Sequence, residues 1–314
     1  MKPSSLLIIP GPLLSALMIL TQILVLPAKS QIETQTDARQ QQLATETART
    51  QSLGAFKNVL REDGGVLAAR QKWADFQVGL LQDFQYDSNA NFDGNGGDDS
   101  FSYSPTVFAG ANARINNEWS VSGMSTWSST WYDGVDGQDY WGATGSLLAH
   151  YRPRANWPEF FTGAEVDRYE AWNDSTEISK SISAVAGLRN NVQLGSSTGL
   201  FYQFRYAHRW SDPTLFNRDQ LTVSLGLSQR LAKGLYLQPT YSFGYFAYEN
   251  DFGPANDVER EDLRHEFALS LVYRLTTYLS LRLSGSFVDN DSTLGTASYQ
   301  NFSTGLNSGL VYNF

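Results

Sequence analysis

The stretch DFQVGLLQDFQYD, residues 75–87, carries the pattern on which the predicted architecture depends. Phe76, Val78, Leu80, Phe84 and Tyr86 fall on alternate positions, and polar residues or glycine fill most of the positions between them. A period of two places successive side chains on opposite faces of a β-strand. The stretch therefore predicts a strand with one apolar face and one polar face.

The same alternation recurs along the chain, for example in TVFAGANARI, LFYQFRYAHRW, QLTVSLGLSQRL and HEFALSLVYRL. Twelve such stretches are centred near residues 80, 109, 126, 146, 164, 185, 205, 226, 241, 269, 283 and 307. Short turns, with 190–198 as the longest of them, alternate with longer acidic loops such as 249–262. Short turns on one side and long loops on the other are typical of an outer-membrane barrel.

Aromatic residues gather at both ends of the predicted strands. Trp131 and Trp210 lie near the long loops, and Trp119 and Tyr273 lie near the short turns. A soluble β-sandwich also alternates, but it does not need two aromatic belts, whereas a lipid-facing wall does. The sequence therefore predicts an all-β fold, a closed antiparallel up-and-down transmembrane barrel of about 12 strands over residues 75–314.

The N-terminal part of the chain has a different composition. The chain has 314 residues, no cysteine and a formal net charge of -9. Residues 1–30 are apolar and free of acids, and Ala28 and Ser30 offer a small-x-small cleavage site, so we expect a secretory signal peptide. An uncleaved membrane anchor is the alternative. The signal predicts export, and the barrel predicts the outer membrane as the destination.

Residues 31–74 form a polar, Gln- and Thr-rich segment with a short helix expected around 52–61. Its low apolar content cannot support ordering on its own, which favours a periplasmic extension. A plug inside the barrel is the other interpretation.

The chain ends within the last predicted strand, on SGLVYNF. A closed barrel requires the last strand to pair with the first, because an open edge in lipid leaves backbone groups unpaired. Leu310, Tyr312 and Phe314 resemble the terminal signature by which barrel-assembly machinery recognises outer-membrane proteins. We expect that machinery, outer-membrane lipid and lipopolysaccharide as partners, and no nucleic acid.

Residues from about 75 to 314 resemble the OmpL-like β-barrel porins. The resemblance rests on FQVGLLQDFQYDSNANF with the later DDSFSYSPTVF, and on DLRHEFALSLVYRL followed by SFVDNDST. These are loose patterns that leave residues 31–74 unexplained. The resemblance implies an outer-membrane channel for small solutes. The alternative is a structural or secretion-partner barrel, for example in polysaccharide export, without channel activity of its own.

An inward-facing arginine ends each strand that descends to a short turn, except the last. Arg114, Arg152, Arg189, Arg230 and Arg274 form this predicted ring, and Arg205 and Arg282 lie further inside. An arginine ring selects anions electrostatically, which suggests a channel that favours anions or acidic saccharides. Two other interpretations stay open. The arginines could brace the wall through the inward candidates Asp83, Glu165, Asp167 and Glu266, or dock a plug.

The sequence indicates neither an enzyme nor a cofactor. The histidines are His150, facing inward, and His208 and His265, in the lipid-facing phase, and no motif pairs one of them with a nucleophile. A proton-transfer site of His208, His265 and Asp262 is a minor alternative. Without cysteine or a histidine cluster, no transition-metal site is expected. Asp93, Asp98 and Asp99 are weak calcium candidates in an acidic loop, which could also oppose anions entering the channel.

Overall fold

The structure is a computed structural model that describes residues 74–89, 99–133, 139–154, 157–172, 177–249 and 259–313. The predicted signal peptide and the segment 31–73 with its expected helix lie outside these residues. Phe314, Asp93 and Asp98 also lie outside them. Within the described part of the chain, no helix is long and apolar enough to cross a membrane.

Alternating sequence stretches form the strands where they were predicted. The strands are β1 Ala74–Asp87, β2 Ser100–Arg114, β3 Trp119–Asp133, β4 Tyr140–Tyr151, β5 Glu159–Ala171, β6 Glu177–Gln193, β7 Thr198–Asp212, β8 Arg218–Ala232, β9 Leu235–Tyr248, β10 Glu261–Arg274, β11 Leu279–Ser292 and β12 Tyr299–Asn313. Single 3₁₀ turns at Thr214–Phe216 and Gly295–Ala297 precede β8 and β12. The predicted fold class and strand number are confirmed.

The strands form one closed antiparallel barrel in which each strand pairs with its neighbours in sequence. β1 pairs with β12 from Gln77 opposite Asn313 to Asp87 opposite Ser303. This closing pair satisfies the backbone groups that an open edge would expose to lipid.

The connections differ at the two ends of the barrel. One end, called here the short-turn end, carries the connections 115–118, 152–158, 194–197, 233–234 and 275–278. The other, the long-loop end, carries 88–99, 134–139, 172–176, 213–217, 249–260 and 293–298. The connection predicted at 190–198 is shorter than expected, because β6 continues through Gln193. In outer-membrane barrels short turns face the periplasm.

The outer face of the barrel is an apolar belt. Leu269 and Leu283, near the middle of β10 and β11, are 52% and 56% exposed. Equivalent outward positions on other strands hold Val78, Val107, Trp127, Leu147, Phe204, Leu225, Phe302 and Leu306, all exposed. A soluble monomer does not expose a continuous apolar patch of this kind. A closed sheet with this belt is the architecture of an integral outer-membrane protein.

Two aromatic girdles border the apolar belt. At the long-loop end, Trp131 stacks between Tyr103 and Trp172, with ring centroids 5.8 Å and 6.0 Å away. At the short-turn end, Trp119 packs on Tyr151, with centroids 4.7 Å apart. Amphipathic rings at both boundaries suit the interfaces between hydrocarbon and headgroups.

Candidate functional site in the barrel lumen

The inward face of the wall is polar and holds many charged side chains. Because the side-chain period is two, the residues between those of the apolar belt all project into the lumen. The inward set includes Ser122, Thr144, Glu165, Arg205, Ser224, Arg264 and Arg282. The wall therefore encloses a charged interior rather than an apolar core.

The predicted arginine ring lies at the short-turn end, but its members do not converge on one point. Arg114 donates from Nε to the carbonyl oxygen of Asn116, at 2.9 Å, in its own turn. Arg230 donates from Nη2 to the carbonyl oxygen of Ser196, at 3.1 Å. The guanidinium of Arg274 lies 5.7 Å from the centre of the Tyr236 ring. These arginines mainly bind backbone and aromatic groups of the wall.

The other two members of the ring, Arg152 and Arg189, meet at Glu159. Arg152 Nη2 lies 3.2 Å from Glu159 Oε2, and Arg189 Nη2 lies 2.6 Å from Glu159 Oε1. His150 joins the same carboxylate through Nδ1, at 3.1 Å, and approaches Ser122 Oγ through Nε2, at 2.7 Å. Glu159 is therefore the centre of a charged cluster on β3 to β6.

Arg205 and Arg282 lie further along the lumen, as expected. Arg205 Nη2 forms an ion pair with Glu165 Oε2 at 2.6 Å. Arg282 on β11 and Asp83 on β1 both register with Asn307 of the intervening β12, which places them within electrostatic reach of each other. Both arginines thus have acidic neighbours across the wall, as the bracing interpretation requires.

A second arginine cluster occupies the long-loop end of the lumen. Arg209 Nη2 contacts Asp167 Oδ2 at 2.8 Å, and Arg264 Nη2 contacts Glu266 Oε2 at 3.4 Å. Arg260 binds the Asp262 carboxylate through Nε and Nη2, with its shortest contact at 2.8 Å. Burying ionised side chains is costly unless they are paired, and each of these arginines has a carboxylate partner.

Arg218 is the exception within the described residues, where no carboxylate lies at ion-pair distance from it. Its Nη1 donates to the Tyr248 hydroxyl at 2.8 Å, and its guanidinium lies 5.2 Å from the Phe246 ring centre. With the Gln220 amide turned to present its oxygen, Nε and Nη2 donate to that oxygen at 2.6 and 2.9 Å. Only 4% of Arg218 is exposed, so this cation is buried, and the groups that it contacts directly are neutral.

Buried aromatic side chains narrow the lumen beside these clusters. Tyr140 packs with Tyr169, Ala171 and Ile178 near the long-loop end. Phe216, from the 3₁₀ turn before β8, is 2% exposed. A solute that crosses this end of the lumen would pass aromatic rings and guanidinium groups, an environment suited to weak, repeated contacts.

The residues that sequence reasoning missed are those whose position depends on register. Arg218 and Arg260 fall in stretches predicted as loops, although the phase of β8, carried back from Thr222, would have placed Arg218 inward. Glu159 follows a short connection and begins the least regular strand, so nothing in the sequence tied it to His150 or Arg189. Pairing of β4 with β5 and of β5 with β6 brings them together.

The lipid-facing histidines lie on the outer surface, as predicted. His208 Nδ1 lies 3.0 Å from Asp219 Oδ1, and Nε2 lies 3.6 Å from Glu249 Oε1. His265 Nδ1 contacts the Tyr241 hydroxyl at 2.8 Å. The suggested grouping of both histidines with Asp262 is wrong, because Asp262 is buried and binds Arg260 inside the barrel.

The calcium candidates are only partly described. The Tyr86 hydroxyl donates to Asp99 Oδ2 at 3.2 Å. Asp93 and Asp98 lie outside the described residues, so this site stays a prediction.

Comparisons with known proteins find partial likenesses among solved structures. No protein family and no curated protein sequence matches this chain. The alignment with the outer membrane channel from Pseudomonas putida F1 covers 80% of this chain and 100% of that protein's chain, with a TM-score of 0.48 and 10% sequence identity. The translocator domain of the autotransporter NalP from Neisseria meningitidis aligns with a TM-score of 0.43 at 13% identity over 86% of this chain and 97% of its own. The resemblance to OmpL-like porins stays a prediction.

Proposed function

We propose that this protein is an outer-membrane channel for passive diffusion of small hydrophilic solutes. The observation that carries the proposal is the closed wall itself, apolar on its lipid side and charged on its lumen side. A barrel that served only as a membrane anchor would not need charged and hydroxyl side chains along its interior. Barrels larger than eight strands leave increasing interior space beyond what side chains fill.

The same proposal includes a preference for anions. Inward arginines outnumber inward carboxylates among the described residues, and Arg218 adds a guanidinium without an acidic partner there. A cation held in a narrow, low-dielectric passage attracts anions more strongly than it would in bulk water. Acidic saccharides and other small organic anions are the solute class that fits this wall, since guanidinium groups bind carboxylates and phosphates directly.

Export and assembly belong to the proposal as well. The predicted signal peptide at residues 1–30 would direct the chain to the periplasm. The terminal Leu310 and Tyr312 lie on β12, with Leu310 opposite Leu80 of β1 and Tyr312 opposite Val78. The strand that would carry the recognition signature is therefore also the strand that closes the barrel.

The experiment is single-channel recording of refolded protein in planar lipid bilayers with a salt gradient. We expect discrete conductance steps and a reversal potential that indicates anion preference. Refolded protein that gives no steps would contradict the channel and favour the secretion-partner alternative. Steps with cation preference would contradict the anion preference alone.

A matched pair of variants locates the selectivity. Arg218→Gln removes the buried guanidinium, whereas Arg154→Gln removes an exposed one on the β4–β5 connection, where Arg154 lies over Trp157 at 5.8 Å. We expect Arg218→Gln to reduce the anion preference and Arg154→Gln to leave it near the wild-type value. Equal effects of the two substitutions would show that the preference does not arise at Arg218.

A further inference from the structure

Ser122, His150 and Glu159 form a chain of contacts on three neighbouring strands at the short-turn end. His150 Nε2 lies 2.7 Å from Ser122 Oγ. His150 Nδ1 lies 3.1 Å from Glu159 Oε1. A hydroxyl on one ring nitrogen and a carboxylate on the other is the arrangement by which a histidine activates a serine nucleophile.

Strand register explains why these residues meet. His150 on β4 lies opposite Ser120 of β3 and opposite Phe161 of β5. Ser122 is two residues from Ser120 along β3, and Glu159 is two residues from Phe161 along β5, in opposite directions. Both are therefore diagonal neighbours of His150 on the lumen face, a separation that a long side chain can span.

The contacts of Glu159 determine which ring nitrogen of His150 carries the proton. Arg152 and Arg189 form ion pairs with Glu159, and its carboxylate accepts a hydrogen bond from His150 Nδ1–H. Nε2 is then left with its lone pair toward the Ser122 hydroxyl, as a general base requires. Arg189 Nη2 also approaches Nδ1, at 3.5 Å, but the shorter contact to Glu159 sets the tautomer.

Burial also separates the roles of the residues. His150 is 4% exposed and is held within the wall, whereas Ser122 is only half-buried on the lumen face. Within the described residues, the other lumen-facing serines meet no imidazole: Ser224 contacts the Ser242 hydroxyl at 3.0 Å, and Ser181 donates to Asp167 Oδ1 at 2.6 Å. Ser122 therefore differs from the remaining wall serines in having a buried imidazole as the acceptor for its proton.

We propose that Ser122 is a nucleophile that cleaves small acyl esters reaching the lumen from the short-turn end. Ser122 Oγ attacks the acyl carbon while His150 Nε2 takes the hydroxyl proton. The ester C–O bond then breaks, and the same proton passes to the leaving alcohol. Water, deprotonated by His150, next attacks the acyl-serine and releases the carboxylic acid and the free hydroxyl.

The test uses the refolded full chain, a fluorophosphonate probe and p-nitrophenyl butyrate. The probe reacts with an activated serine when Oγ displaces fluoride at phosphorus, so mass spectrometry of labelled wild-type protein locates the nucleophile. We expect the adduct on Ser122. Ser122→Ala should abolish labelling and reduce ester hydrolysis at least about 100-fold, the usual contribution of such catalysis, and Ser224→Ala should retain both.

Glu159 is a positioning residue, and its variants separate that role from a structural one. Glu159→Gln should lower kcat for the ester while KM stays unchanged, and Glu159→Asp should restore part of the loss. Heat-modifiable migration confirms that each variant is folded. Folded wild-type protein that forms no Ser122 adduct, or equal hydrolysis by the Ser122→Ala and Ser224→Ala variants, would overturn the proposal. The proposal does not depend on conductance, so failure of the channel experiment leaves it intact.

Discussion

Arg209 on β7 and Arg218 on β8 lie directly opposite each other, with both side chains inside the barrel. Like charges in this arrangement repel and destabilise a strand pair. Asp167 offsets the charge of Arg209, and Ser181 in turn donates to Asp167 Oδ1 at 2.6 Å. The Phe246 and Tyr248 rings, at 5.2 and 5.3 Å, accommodate Arg218. An ion pair therefore stabilises the Arg209 guanidinium, whereas aromatic rings stabilise the adjacent guanidinium of Arg218.

Removing Asp167, the carboxylate that pairs with Arg209 within the described residues, should destabilise the barrel. Asp167→Asn would leave Arg209 buried without an anionic partner, a change that typically costs about 3–5 kcal/mol. Asp219→Asn is the control, because Asp219 lies half-exposed on the outer surface beside His208 and such pairs contribute at most about 1 kcal/mol. Urea unfolding in detergent, followed by tryptophan fluorescence, measures both. Equal stability of the two variants would contradict the role given to Asp167.

Gly163 on β5 allows close contact with the neighbouring strand. A Cβ atom at this position would clash with the carbonyl oxygen of Leu147, a backbone atom of β4 that cannot move aside easily. We expect Gly163→Ala to reduce the folded fraction and to lower the free energy of unfolding by about 1–3 kcal/mol, as overpacking does.

Gly123 on β3 provides the matched comparison. Its added Cβ would meet the Ser146 carbonyl oxygen at 3.6 Å, an ordinary contact distance. Gly123→Ala should therefore fold like the wild type. Heat-modifiable gel migration after refolding compares the two, and a fully folded Gly163→Ala protein would show that the β4–β5 spacing is looser than described.

The depth of an outward residue within the apolar belt should determine how strongly a charge introduced there destabilises the barrel. Leu269 lies mid-strand on β10 and Leu263 lies near its long-loop end, and both are exposed on the outer face. Leu269→Arg should lower the free energy of unfolding in lipid by about 2–4 kcal/mol, and Leu263→Arg should lower it by about 0–1 kcal/mol. Unfolding in phospholipid vesicles measures the difference. Similar costs at the two positions would indicate that the belt does not cross the bilayer as inferred.

The strands could be predicted from the sequence because alternation is a local property. A period of two identifies a strand and the phase of each side chain without any knowledge of its neighbours. The alternation therefore places Arg205 and His150 inward and His265 on the lipid-facing side. The aromatic girdles follow from the same reasoning, applied to strand ends.

The contacts within the lumen could not be predicted in this way, because they depend on the register between strands. Neither Ser122 nor Glu159 has a sequence feature that ties it to His150; only the pairing of β3, β4 and β5 does. The residues at which strands begin and end were also predicted less accurately than the strands themselves. The sequence predicts Arg218 in a loop, whereas it is the first residue of β8 and faces the lumen. Position in the sheet, rather than residue type, determines these sites.

Closure of the barrel through β1 and β12 defines both the apolar belt and the lumen. Leu80 and Leu310 are register partners across this seam, and partners in antiparallel strands lie within the Cα separation that a disulfide spans. The chain has no cysteine, so Leu80→Cys with Leu310→Cys introduces a unique pair. We predict that refolded protein forms this disulfide on mild oxidation, detected by mass spectrometry of the joined peptides, while Leu80→Cys with Leu269→Cys of β10 forms none. Absence of the Leu80–Leu310 disulfide in folded protein, or equal cross-linking of both pairs, would contradict the closed barrel.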